Sequence, residues 1–320
     1  MRVGLVGGVE SSRILLEKLV EHSFHIVRVY AYAPRKIELT SGYVDLSEYC
    51  ETQGVAYRKF QKINDHADGI TEDKLDVLFV VGLSQMVSPE ITEAPSLGCV
   101  GFHPTALPRG RGRAPLGWLT AKQEDGAATF FEISEMADAG GIFVQEPFSV
   151  SEDDNAKTVY DKLLVAMKTA LDRWLPQLKT GQWKPVVQDE AAATEYGIRK
   201  PEDGLIGWER PANQIYRLIQ AAANPHPGAF TFFGLDRLIV LAARRELELP
   251  ITGIPGRVLK VRGEELLLQT GNGLLWLTEY VGNSKKIRVG DRLGYLPELE
   301  IYNMKREISD LRKMIEAHHD

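Results

Sequence analysis

Cysteine is nearly absent. Cys50 and Cys99 are the only two in 320 residues. Two thiols cannot build a disulfide framework or a cysteine-based zinc site, and both stand beside apolar residues, where a buried free thiol is expected. No apolar run reaches the ~18 residues of a membrane span, and the start, MRVGLVGG, has no long apolar stretch of the signal-peptide kind. Basic residues are not in excess: 38 Lys and Arg against 44 Asp and Glu give a net charge of −6, with an isoelectric point of about 5.8. That balance argues against non-specific binding to nucleic acid or to an anionic membrane, while leaving room for a local basic patch. Internal repeats and low-complexity tracts are missing too. What is present is ample apolar material, 44% hydrophobic against 26% charged residues, enough for a packed core. The expectation is a soluble, cytoplasmic protein of two domains or one large one.

The segment RVGLVG at 2–7 is apolar and ends in glycine, as a buried parallel strand does. A helical pattern follows over 11–22, with Ile14, Leu15 and Leu19 on one face. HIVRVYAYA (25–33) reads as a strand, VDLSEYCETQG (44–54) as a helix closed by Gly54, and LDVLFVVGL (75–83) and GCVGFH (98–103) as strands. ATFFEIS and GIFVQEPFSV add two more strands, and 155–180 a long helix. The alternation predicts an α/β, Rossmann-like, doubly wound and mostly parallel sheet, with ligands at the carboxyl ends of its strands. His103 stands at such an end.

After about Gln188 the chain turns polar, as a linker would. A helix is predicted over 211–222, then short strands separated by glycines up to about Leu296, the texture of a small OB-like β-barrel. The expected boundaries are 1–190, 191–297 and a C-terminal helix over 298–320. In that helix Ile301, Met304, Ile308, Leu311 and Ile315 recur at intervals of three and four. The stripe is coiled-coil-like but short, and it fits either docking on the body or a homodimer.

Three stretches carry candidate chemistry. VGLVGGVESS is a glycine turn between strand and helix without the full G-x-G-x-x-G spacing, so a nucleotide cofactor is disfavoured. Its Ser11 and Ser12 either cap the helix or contact a substrate. GFHPTALPRGRGRAP (101–115) follows His103 with a loop stiffened by Pro108 and Pro115. Its Arg109 and Arg111 either bind a phosphate or carboxylate or face solvent. EMADAGGIFVQ (135–145) places Asp138 before two glycines, a turn that lets backbone pass close to a ligand.

Together the last two stretches resemble the 10-formyltetrahydrofolate-dependent formyltransferase family, which carries N-x-H-x-S-L-L-P-x-x-x-G followed by D-x-G. The matching text is GFHPTALPRGRG and, 35 residues after His103, DAGG from Asp138. YGIRKPEDGLIGWERPANQIYRLIQAAANPHPGAF resembles the start of the family's second domain, so the likeness spans roughly 1–290. RGRGRAPLGW, ADAGGI and NPHPGAF are most similar to the branch that formylates amines on nucleotide-linked sugars. The alternative branch formylates methionyl-tRNA and usually has a basic, glycine-rich loop where this chain has PRKIELTSGYVDLSEY.

The resemblance implies a transferase that moves a formyl group from 10-formyltetrahydrofolate, its co-substrate, to a primary amine, with no metal. Such a reaction must stabilise an oxyanion and remove an ammonium proton. By the family's motif, His103 and Asp138 form the catalytic pair. Leu83, Ser84, Gln85, Met86 and Val87 lie in the loop that contacts folate, mostly through backbone. Ser11, Ser12, Pro108, Arg109 and Arg111 face the acceptor, a nucleotide-linked amino sugar. The family's Asn, two residues before the His, falls on Gly101, which has no side-chain donor. Losing one oxyanion donor typically costs roughly a hundred- to a thousand-fold in rate. Three outcomes stay open: a water or another side chain substitutes, the space admits a different acyl group or acceptor, or the chain binds without efficient turnover.

Overall fold

The structure, a computed structural model, describes residues 1–37, 42–282 and 286–318. Residues 38–41, within the loop weighed against the tRNA-formylating branch, lie outside the described residues. Two compact units divide the chain: Met1–Lys200 with Gln220–Pro227, and Pro201–Ile219 with Gly228–Asp320.

In the first unit β1 (Arg2–Gly7) is buried at every position after its first, which is why RVGLVG shows no polar alternation. The further strands are β2 (His25–Tyr32), β3 (Tyr57–Phe60), β4 (Val77–Val80), β5 (Gly98–His103), β6 (Arg111–Gly112), β7 (Gly126–Glu132), β8 (Ile142–Phe148) and β9 (Glu195–Tyr196). Seven of them form one sheet in the order β3-β2-β1-β4-β5-β7-β8. β1 to β5 pair in parallel, whereas β7 joins β5, and β8 joins β7, antiparallel. Only the short segment 133–141 separates β7 from β8, and a parallel crossover needs a dozen or more residues. β6 and β9 pair separately as a two-stranded ribbon.

The helices are α1 (Glu10–Glu21), α2 (Leu46–Gln53), α3 (Ala67–Glu72), α4 (Pro89–Thr92), α5 (Pro115–Lys122) and α6 (Ala156–Lys179). Leu15 and Leu19 of α1 and Leu163 and Leu171 of α6 share a core with Val3, Leu5, Phe79 and Phe130. Ile63, Ile70 and Ile91 pack with Val6, Leu78 and Cys99 in a separate core. Helices thus cover both faces of the sheet, and its carboxyl edge is left for ligands. Cys50 and Cys99 are free and buried, and burial pushes their thiols up to about 11 and about 12.

The start of α6 is built for charge. Asn155 caps it by accepting from the backbone N–H of Lys157 and Thr158. The preceding Asp154 accepts from the Ser151 N–H at 2.7 Å, the Thr158 hydroxyl at 2.9 Å and Lys162 Nζ at 2.5 Å. Burial alone would raise this carboxyl, but the bonds from Lys162, Ser151 and Thr158 hold it at about 2, below its ordinary 3.8. A depressed folded-state value contributes stability above the unfolded value, and the contribution is lost as pH falls toward 2. Asp154→Asn is therefore expected to cost about 2 kcal/mol near pH 7 and little near pH 2, which urea unfolding at the two pH values would measure.

The second unit holds α7 (Ala212–Ala222, whose last residues fall in the first unit), β10 (Ala229–Phe233), β11 (Asp236–Glu246), β12 (Val258–Arg262), β13 (Glu265–Gln269), β14 (Leu274–Val281) and α8 (Pro297–Glu316). Its strands form an antiparallel sheet in the order β10-β11-β14-β13-β12. Within the described residues no side chain of α8 is buried, and no helix is long and apolar enough to cross a membrane.

Candidate functional site

β5 ends at His103, which is 6% exposed. The loop beyond it folds back on the imidazole, and Nε2 lies 2.8 Å from the Gly110 carbonyl oxygen. A carbonyl only accepts, so Nε2 carries the hydrogen and Nδ1 of the neutral ring is an acceptor. Nδ1 faces Asp138 Oδ2 at 3.7 Å, beyond hydrogen-bond length. Asp138 sits in the left-handed region with φ 56°, a conformation Asp tolerates better than most residues. Its Oδ2 accepts from the Gly112 N–H at 2.9 Å.

The loop is pinned from several directions. The Thr105 carbonyl accepts from the Thr129 hydroxyl at 2.6 Å, and the Leu107 carbonyl from Gln145 Nε2 at 2.7 Å. The Gly110 N–H donates to Thr194 Oγ1 at 2.9 Å. Gln188 ties the two motifs together. Its Nε2 donates to the carbonyls of Asp138 and Gly140 at 2.8 and 2.7 Å, and its Oε1 accepts from Arg111. A Cβ on Gly140 would lie 1.7 Å from the Glu132 carbonyl oxygen, so only glycine permits this close return of the chain.

A cavity of about 650 Å³ opens at the carboxyl ends of β4 and β5. Leu83, Gln85, Met86 and Val87 line it from one side, Gly101 and Phe102 from the strand, and Phe131 with Ile133 to Asp138 from the other. Gly101 does not open extra space. In the register Gly101 faces Phe131 across β7. A Cβ at 101 would stand 2.7 Å from Phe131 Cζ and 3.2 Å from Ile133 Cγ1. The place of an Asn side chain is occupied by the phenyl ring, which needs a glycine opposite it.

The candidates from the sequence divide by position. Asp138, Gly101, Leu83, Gln85, Met86 and Val87 meet at the cavity; Ser84 is exposed and outside its lining, and His103 lies behind the wall. Gln85 also fixes its loop, accepting from the Ile63 N–H at 3.0 Å and donating to the Gln61 carbonyl at 2.6 Å. Ser12 is buried inside the first turn: its hydroxyl accepts from the N–H of Gly8 and Val9 and donates to the Val81 carbonyl. Ser11 is buried beside it. Pro108 follows a cis peptide bond, and Arg109 is exposed.

Arg111 turns inward. Its guanidinium holds Gln188 Oε1 at 2.8 Å and forks onto Glu190 at 2.9 and 2.6 Å. Arg111→Lys is expected to cost about 1–3 kcal/mol of stability, through the lost fork. The KM of an anionic acceptor should stay unchanged; thermal unfolding and steady-state kinetics on one preparation separate the two effects. Phe131 and Gln188 escaped the sequence reading. Phe131 had a signal, a glycine on the neighbouring strand at its register position, but only once the pairing is known. Gln188 had none, 50 residues from Asp138 in the chain.

Fold and site define an α/β protein with a Rossmann-like sheet, a ligand cavity at its carboxyl edge and a buried His–Asp juxtaposition, joined to an antiparallel β unit. Both parts match one family. Residues 15–175 match the family described as Formyl transferase, and residues 199–292 the Formyl transferase, C-terminal domain. The chain belongs to the formyl transferase family.

Among solved structures the chain is similar to HypX from Aquifex aeolicus in complex with tetrahydrofolic acid. Identity is 20% over 89% of this chain and 45% of that one, with a TM-score of 0.63. It therefore spans just under half of HypX. It is also similar to an N-formyltransferase from Helicobacter canadensis in complex with folinic acid and dTDP-3-aminofucose. There identity is 14% over 87% of this chain and 99% of that one, with a TM-score of 0.67. Methionyl-tRNA formyltransferase from Clostridium thermocellum shares 19% identity over 77% of this chain and 94% of that one, with a TM-score of 0.53.

Proposed function

We propose that the chain transfers a formyl group from 10-formyltetrahydrofolate to the amine of a nucleotide-linked amino sugar. The observation that carries this reading is the juxtaposition of the family's two motifs, with Asp138 on the wall of the 650 Å³ cavity and His103 directly behind it, 3.7 Å from its carboxylate. The cavity has the size of a small-molecule site, with apolar walls at Leu83, Val87, Phe131 and Ile133 and polar groups at Gln85, Ser134 and Asp138. Those residues suit a flat, partly apolar heterocycle, and 10-formyltetrahydrofolate bound there supplies the one-carbon unit.

The chain's own part is proton handling and position. An amine that is acylated must lose a proton. His103 Nδ1 is the free basic atom, because Gly110 fixes the hydrogen on Nε2. A proton taken by Nδ1 would lie on the side of the ring that faces Asp138 Oδ2, 3.7 Å away. Asp138 is itself held by the Gly112 N–H and, through its backbone, by Gln188. The sugar acceptor is supported by the likeness of RGRGRAPLGW and NPHPGAF to the amino-sugar branch and by the exposed Arg109 on the same loop. The Helicobacter canadensis neighbour, whose complex holds dTDP-3-aminofucose, points the same way.

A second reading has its own observation. Phe131 fills the place of the family's Asn, which favours a relative with altered acyl chemistry or one that binds without efficient turnover. Mass spectrometry separates these. The protein is mixed with 10-formyltetrahydrofolate and a panel of amino-sugar nucleotides, with methionyl-tRNA alongside. One formyl mass gained on a sugar supports the main reading. Formylated tRNA would replace its acceptor, and saturable folate binding without any product would favour the second.

A further inference from the structure

Helix α8 keeps an apolar stripe in solvent. Ile301, Met304, Ile308, Leu311 and Ile315 are each 47–58% exposed, and none of the helix is buried within its own chain. Isolated apolar side chains on a surface are ordinary, but a continuous stripe along a 20-residue helix is an unsatisfied face. Its spacing is a heptad repeat with Ile301, Ile308 and Ile315 at the a positions and Met304 and Leu311 at d. β-branched residues at a with Leu at d favour two parallel strands.

The flanking charges choose the partner and its direction. Glu300 and Glu307 occupy g, and Lys305 and Arg312 occupy e. In a parallel pair each g residue meets the e residue five places further along the other helix. Glu300 then faces Lys305 of the second copy and Glu307 faces its Arg312, and the two-fold axis repeats both pairs. In an antiparallel pair g meets g and e meets e, which sets glutamate against glutamate and cation against cation. We propose that α8 joins two copies of this chain as a parallel, two-stranded coiled coil.

Light scattering behind size exclusion, on the full chain at micromolar concentration, should give twice the 35.7 kDa of one chain. Ile308→Asp puts a charge into the seam and should return the mass of a single chain. Its side chain is 51% exposed and belongs to a helix with no buried residue, so the near-ultraviolet spectrum of the rest of the fold should not change. Glu300→Lys with Glu307→Lys should also split the dimer, and adding Lys305→Glu and Arg312→Glu should restore it. An antiparallel dimer would ignore the first pair of changes. A single-chain mass for the unaltered protein, a dimer that survives Ile308→Asp, or one indifferent to the charge reversal each overturns the proposal.

Discussion

His103→Ala should lower formyl transfer by roughly a thousand-fold, the middle of the range for removing a positioned acid–base group. The loss should fall on kcat. Folate affinity should hold, because His103 lies behind the cavity wall and not on it. Deleting the imidazole also leaves the Gly110 carbonyl with only the longer bond from the Thr105 hydroxyl at 3.3 Å, and the Asp138 carboxylate facing an empty space. Asp138→Asn is the cleaner companion. Its amide oxygen can still accept from the Gly112 N–H, so the turn survives while the charge opposite Nδ1 is lost. On the proposed pairing the two residues act as a unit, and the double variant should then be little slower than His103→Ala alone. Stopped-flow or discontinuous assays with the two single variants and the double variant test this. A double variant slower by the product of the two losses would mean that they act separately.

Much of this site was legible before the fold was known, and the limits of that reading are physical. β5 was readable to its ends because GCVGFH is apolar, ends at a proline step and carries the motif histidine. The parallel core was readable because β1, β2 and β4 are buried runs separated by helical patterns. The antiparallel turn-back at β7 and β8 was not, since a buried strand looks alike in either direction. The same holds for the inward turn of Arg111. An arginine in a loop reads either as a ligand for phosphate or carboxylate or as a solvated cation, and its partners Gln188 and Glu190 stand 77 and 79 residues away. Ser12 could be read from the sequence either as a cap or as a substrate contact; the hydroxyl is taken up locally, accepting from the N–H of Gly8 and Val9.

Gly101 is the position where sequence and structure together say more than either. From the motif alone it is a missing donor that leaves a space. From the register it is the room that Phe131 needs. Gly101→Asn is therefore expected to cost about 1–3 kcal/mol by overpacking, and it should bring no gain in turnover, because the Cβ alone would already stand 2.7 Å from Phe131 Cζ. Shrinking the opposing ring changes the sign of the interaction. In Phe131→Leu, Gly101→Asn should cost less than it does in the natural chain, a coupling of more than ~0.5 kcal/mol that residues in direct contact show. Only in that pair can the amide reach the cavity, and turnover should rise above that of Phe131→Leu alone. Urea unfolding of the four proteins in the cycle gives the coupling, and product formation gives the second half. Equal costs in both backgrounds would show that the ring moves aside freely, and Phe131 would then not explain why glycine stands where the family has Asn.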